Sequence, residues 1–227
     1  MKLFRNLAIG LLAAGLLTST VAEAKKAKKG DEAAESAEEE KYEAINAETN
    51  IAEFNPTWSD AKAIQDKVTS FETDLDKVRT DLNTAAGIAT DAPIQTALDD
   101  LKEKAAGKLT VALDGGKPTV TASEALPENV QAVLDAVNSG VDTVMGIVEN
   151  GKTLPDDVKA LIDTAKGFPA QLKPDLLSSN GLKAKDLGKE TKVVKANTQA
   201  TIQTQDRVKG VLEAAKNFVE AVKGLAG

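Results

Sequence analysis

The chain of 227 residues contains no histidine and no cysteine. Without them there is no Ser-His-Asp or Cys-His nucleophile pair, no ordinary zinc or haem site and no imidazole pH switch. Disulfides and thiol redox chemistry are excluded as well. Aromatic residues are only 3%, with one Trp and one Tyr, so an apolar core must be built from Leu, Val, Ile and Ala. Lys and Arg total 28 against 35 Asp and Glu, a net charge of −7. That balance argues against sequence-blind nucleic-acid binding, which needs clustered cations to displace phosphate counterions. No cofactor and no metal-ligating residue is assigned; a hard-cation oxygen site or a carboxylate general base is what composition leaves open.

The first residues have the pattern of a secretory signal. Lys2 and Arg5 precede an uncharged apolar stretch from Leu7 to Val21, and Ala22-Glu23-Ala24 supplies a small-x-small cleavage site. The stretch is shorter than the roughly 20 residues of a spanning helix. Cleavage near Ala24 makes an exported protein, periplasmic or secreted. It removes Lys2, Arg5 and Glu23 and leaves 26 basic against 34 acidic residues, a net charge of −8. Residues 25–40 then read as a charged flexible segment, with lysines from Lys25 to Lys29 followed by the acidic run Asp31–Glu40. The Ala and Glu of that run favour a helix that reaches about Glu53, anchored by Tyr42, Ile45 and Ile51.

Residues 41–227 read as one helical bundle domain, mainly α, elongated and antiparallel. Asn55-Pro56 breaks the chain, and Thr57 or Ser59 is a candidate cap. Ala61, Ile64, Val68, Phe71, Leu75, Val78, Leu82 and Ala85 then alternate by threes and fours, a coiled-coil-like heptad seam over Ser59–Ile88. A shorter helix carries Ile94, Leu98, Leu101 and Ala105 to Gly107. The period changes at Leu109-Thr110-Val111-Ala112-Leu113, and Asp114-Gly115-Gly116 forms a turn, giving a small β-hairpin at about 108–121. Pro118 must occupy a position that donates nothing to the ladder. Leu126-Pro127 and Leu154-Pro155 each open a helix with acidic residues in its first turn. A last helix over about Ala184–Lys223 has a seam that is polar from Asn197 to Gln205 and apolar beyond it.

Candidate chemistry is sparse. Asp74 with Asp76, Asp99 with Asp100 and Asp156 with Asp157 lack the spacing of a calcium loop and read as solvated or helix-start carboxylates. Trp58 is a candidate binding anchor, against the plainer role of packing at a helix start. Val208, Val211, Leu212, Phe218, Val219 and Val222 form an apolar face, with Lys209, Lys216 and Lys223 recurring every seven residues on the other side. Such a face suits a partner helix, the core or a membrane surface. The expected function is non-catalytic: association with a protein partner or with itself, or, in the alternative, membrane contact through the last helix. No enzyme activity and no nucleic-acid partner is expected.

Overall fold

The computed structural model describes residues 43–105 and 107–226. The expected signal peptide, the charged segment 25–40 and Tyr42 lie outside the described residues. The fold is a mainly α helical bundle with one two-stranded hairpin. Its elements are α1 (Asn55–Ala86), α2 (Ile94–Ala105), β1 (Leu109–Asp114), β2 (Lys117–Ala122), α3 (Glu128–Gly151), α4 (Leu154–Gln171), α5 (Pro174–Ser179) and α6 (Leu187–Lys223). Short 3-10 turns at Ala52–Phe54 and Ala184–Asp186 lead into α1 and α6.

The heptad seam of α1 is buried at Ala61, Val68, Phe71, Leu75, Val78 and Leu82 and half-buried at Ile64 and Ala85. Between seam positions, Lys62–Asp66 and Lys77–Asp81 pair across one helical turn on the exposed side. The helix starts at Asn55, two residues before the candidate cap Thr57, because Pro56 in the first turn gives up no N–H that the helix needs. It stops where Gly87 turns left-handed, with φ of 71°. The Ile88 amide then donates to the Asn83 carbonyl at 3.0 Å, and the buried Asn83 carboxamide donates to the Ala92 carbonyl at 2.7 Å. These bonds satisfy the last carbonyls of the helix and fold the loop that leads to α2.

Two compact units share the chain. One comprises Leu75–Asp142 and residues 216–226, the other residues 43–74 and Thr143–Ala215. The divisions fall inside α1, α3 and α6 and not in a linker, so no composition shift marks them. The first unit holds α2, the hairpin and the buried Val130, Leu134, Val137 and Val141 of α3. The second holds α4, α5 and a core in which Ile51, Phe54, Trp58, Phe168, Leu177 and Val194 are packed together.

Glycine has two different roles in α3. A Cβ on Gly140 would lie 2.9 Å from Val78 Cγ1 and 3.2 Å from Phe218 Cζ, both in the first unit. A Cβ on Gly146 would meet nothing within 4 Å. Gly146→Ala should therefore raise stability by about 1 kcal/mol, the usual helix-interior gain. Gly140→Ala should lower it by about 1–3 kcal/mol, because Val78 is β-branched and cannot rotate away cheaply. Urea titration of the two variants against the parent checks both signs.

One expected element is absent. No helix forms over 43–51, where the backbone is irregular and bends at Ala47 and Asn50, and among the described residues a single 3-10 turn, Ala52–Phe54, precedes α1. Local Ala and Glu propensity is overridden by hydrogen bonds from side chains far along the chain.

Candidate functional site

The carboxylate pairs do not converge. Asp76 pairs with Arg79 on its own helix, Asp99 accepts from Gln95 at 2.7 Å, and Asp100 pairs with Lys104 at 2.9 Å. The amides of Asp156 and Asp157 donate to the Thr153 carbonyl at 3.1 and 3.0 Å, placing both carboxylates at the positive end of α4. Among the described residues no group of three acidic side chains is placed to hold a metal ion.

Trp58 has no face to offer a partner. It is fully buried, its ring meeting Phe168 edge to face at 5.1 Å, while Phe54 stacks on Phe168 at 3.9 Å. Its indole N–H has no partner among the described residues, so the side chain acts here through ring packing. The apolar face of α6 is likewise spent inside the protein. Val208, Val211 and Leu212 are buried in the second unit, and Phe218, Val219 and Val222 in the first. Lys209 and Lys216 are exposed, and the half-buried Lys223 pairs with Glu220 at 2.6 Å.

The polar part of the α6 seam has a use that its spacing did not reveal. Thr201 and Thr204 are buried and donate to carbonyls of their own helix, those of Asn197 and Ala200. Asn197 instead reaches the irregular segment 43–54. Its Oδ1 accepts from the Asn46 amide at 3.0 Å, and its Nδ2 donates to the Asn46 carbonyl at 2.8 Å. Gln65 of α1 does the same from its own side: its Oε1 accepts from the Ile45 amide and its Nε2 donates to the Glu43 carbonyl. Further along, Asn50 donates to the buried Glu190 carboxylate at 2.8 Å, and the Ala52 amide donates to Asn180 Oδ1 at 2.9 Å. Side-chain amides thus replace the backbone partners that a helix would have supplied, and the segment becomes a strap. Asn197→Asp keeps an acceptor for the Asn46 amide but presents only acceptors to its carbonyl. We expect it to destabilise the strap by about 1–3 kcal/mol. Hydrogen exchange at the Ile45 and Asn46 amides should accelerate by more than tenfold while α2 amides keep their protection.

The hairpin presents a second kind of surface. Gly115 and Gly116 have φ of 56° and 91°, the two-residue turn that fits the twist of antiparallel strands. The register pairs Asp114 with Lys117, Val111 with Val120 and Leu113 with Pro118. A two-residue turn makes Asp114 and Lys117 a mutually bonded pair, so bonded pairs recur at even positions of β1. The Ser123 amide donating to the Lys108 carbonyl at 2.8 Å continues that parity. The odd residues of β1 and their partners therefore turn their backbone groups outward. On β2 this outer edge is closed. Pro118 has no N–H to offer, as its position in the sequence required. Val120 is gripped at both backbone groups by Asn138 of α3, each bond 2.9 Å.

On β1 the outer edge has no strand beside it among the described residues. Val111 is half-buried and Leu113 is 60% exposed, the most exposed large apolar residue described. A separate run of lysines, Lys183, Lys185, Lys189, Lys192 and Lys195, is exposed before and along the start of α6 and makes no ion pair among the described residues. Cations at the positive end of a helix are mildly destabilising.

Sequence reasoning named neither the strap partners Gln65 and Asn197 nor the open edge of β1. The first pair had no local signal; the second follows from hairpin register once Pro118 and the two-glycine turn are combined. Compared with protein-family models, curated proteins and solved structures, the chain matches none.

Proposed function

We propose that the mature chain is a non-catalytic exported protein, periplasmic or secreted, that works by associating with another protein or with itself. The observation that carries this reading is where the structure spends its apolar surface. The heptad seams of α1 and α6 are buried in the bundle, while β1 leaves an uncapped neutral strand edge and an exposed Leu113. Edges of this kind are normally blocked by charge, proline or cover. Sedimentation velocity combined with chemical cross-linking in native extract tests it. A mass that rises with concentration, or a discrete cross-linked species, is expected; a strict monomer that cross-links to nothing overturns it.

Contact with an anionic membrane surface is the second reading, and it is favoured by the unpaired lysines between Lys183 and Lys195. Each such cation near an anionic leaflet is worth about 1 kcal/mol. The C-terminal half of α6 is a poorer candidate, since its apolar face from Val208 to Val222 lies in the core. Cutting the chain at Thr204 would delete that core, so charge reversal is the cleaner test. The mature chain should float with anionic vesicles at low salt, and the Lys189→Glu, Lys192→Glu double variant should not. Failure of the parent to float sinks this reading.

A further inference from the structure

We propose that the open edge of β1 is the docking site for β1 of a second copy, joining two hairpins into one continuous four-stranded sheet. The inference deepens the association reading above and rests on it. The two edges of the hairpin are treated differently. The β2 edge is closed twice, by Pro118 and by the Asn138 carboxamide, whereas β1 from Leu109 to Leu113 is neutral, free of proline and, among the described residues, beside no other strand, with only its Leu109 end buried.

The sequence of β1 is complementary to itself when reversed. In an antiparallel pair centred on Val111, the outward amide and carbonyl of Val111 meet those of Val111 in the second copy, and the exposed Leu113 of each copy stands opposite Leu109 of the other, which is 5% exposed in the single chain. Leu113, exposed in the single chain, then lies opposite an apolar residue on the same face. On the other face, Lys108 of each copy, which pairs with Glu124 of its own chain at 2.9 Å, stands opposite Asp114 of the other. The register thus places opposite charges together at both ends and like residues at the two-fold axis, as an isologous interface requires. A slip of one residue would set the inward face of one strand against the solvent face of the other.

The absence of native cysteine makes the register directly readable. The Cα atoms of the central Val111 pair would lie about 5.5 Å apart, within disulfide range. Mature Val111→Cys, mildly oxidised, should form a disulfide dimer. Thr110→Cys alone should not, but mixed with Ala112→Cys it should give the heterodimer. Val111→Pro removes an outward amide and leaves the bonds to β2, so the dimer should be lost with helical circular dichroism unchanged. Lys108→Glu should weaken the dimer roughly tenfold through like charges facing across the strands, and Lys108→Glu with Asp114→Lys should restore it. A parent monomeric at every concentration, with no Val111→Cys cross-link, overturns the proposal and leaves association with a different protein standing. A dimer that survives Val111→Pro and cross-links equally through Thr110→Cys also overturns it, while the self-association reading holds.

Discussion

Replacing Phe168 with alanine is expected to lower the unfolding free energy by about 4 kcal/mol. Phe168 is 4% exposed and is the shared member of the only aromatic contacts described, stacked on Phe54 at 3.9 Å and edge-on to Trp58 at 5.1 Å. Truncation removes the transfer energy of the ring and both ring contacts, each worth about 0.5–1.5 kcal/mol beyond area. The cavity would open between α4 and the start of α1, where Pro56 limits how far the backbone can follow. With one tryptophan in the chain, the effect is visible directly. Urea titration followed by Trp58 fluorescence should show an earlier midpoint and a red-shifted native emission. Leu113→Ala, at an exposed position, should stay within about 0.5 kcal/mol of the parent under dilute conditions.

The second large effect is electrostatic. Arg207 of α6 is 5% exposed, and its Nε donates to Glu72 Oε1 at 2.9 Å. Its Nη2 donates to the other Glu72 oxygen and to Thr69 Oγ1 at 2.8 Å. This is the fork-to-carboxylate arrangement that a lysine cannot reproduce. Arg207→Met should cost about 3 kcal/mol, because the Glu72 carboxylate is left in a partly desolvated place without its cation. The Glu72 side chain keeps 23% of its exposure, which holds the cost at the low end of the range for buried pairs. Adding Glu72→Leu to Arg207→Met should recover most of the loss, since two packed apolar side chains need no counter-charge. A double-mutant cycle by thermal unfolding checks it; strict additivity would show that the pair is not coupled.

Much of the architecture was legible because it repeats. The threes and fours from Ala61 to Ala85 point to one side of a helix, and that side is buried. Alternation from Leu109 to Leu113 followed by Asp114-Gly115-Gly116 specifies a hairpin almost without competition. What was not legible depends on partners distant in sequence. Ala and Glu before Pro56 favour helix, yet the backbone at Asn46 is held by Asn197, 151 residues away. Asn197 itself read as a polar interruption of a seam, because spacing says which side a residue faces and not what lies there. Arg207 sits beside the seam residue Val208, and nothing local announces Glu72. Gly140 and Gly146 are equivalent in the sequence; only the approach of Val78 and Phe218 separates them. The division into two units also escaped, because its borders cut through helices.

The strap has a consequence for the order in which the molecule can be completed. Its closest partners in the chain belong to α1, but Asn180, Glu190 and Asn197 belong to the last third. For a chain delivered from its N-terminus, residues 43–54 are the first described part to arrive and the last to find what they bind. Until α6 follows, Gln65 can hold Ile45 and Asn55 can hold Thr49, but the Asn46 amide and carbonyl have only water to meet. Closure of the strap therefore reports that the chain has arrived as far as Asn197, and a chain interrupted before Asn180 would keep an open, protease-accessible front end.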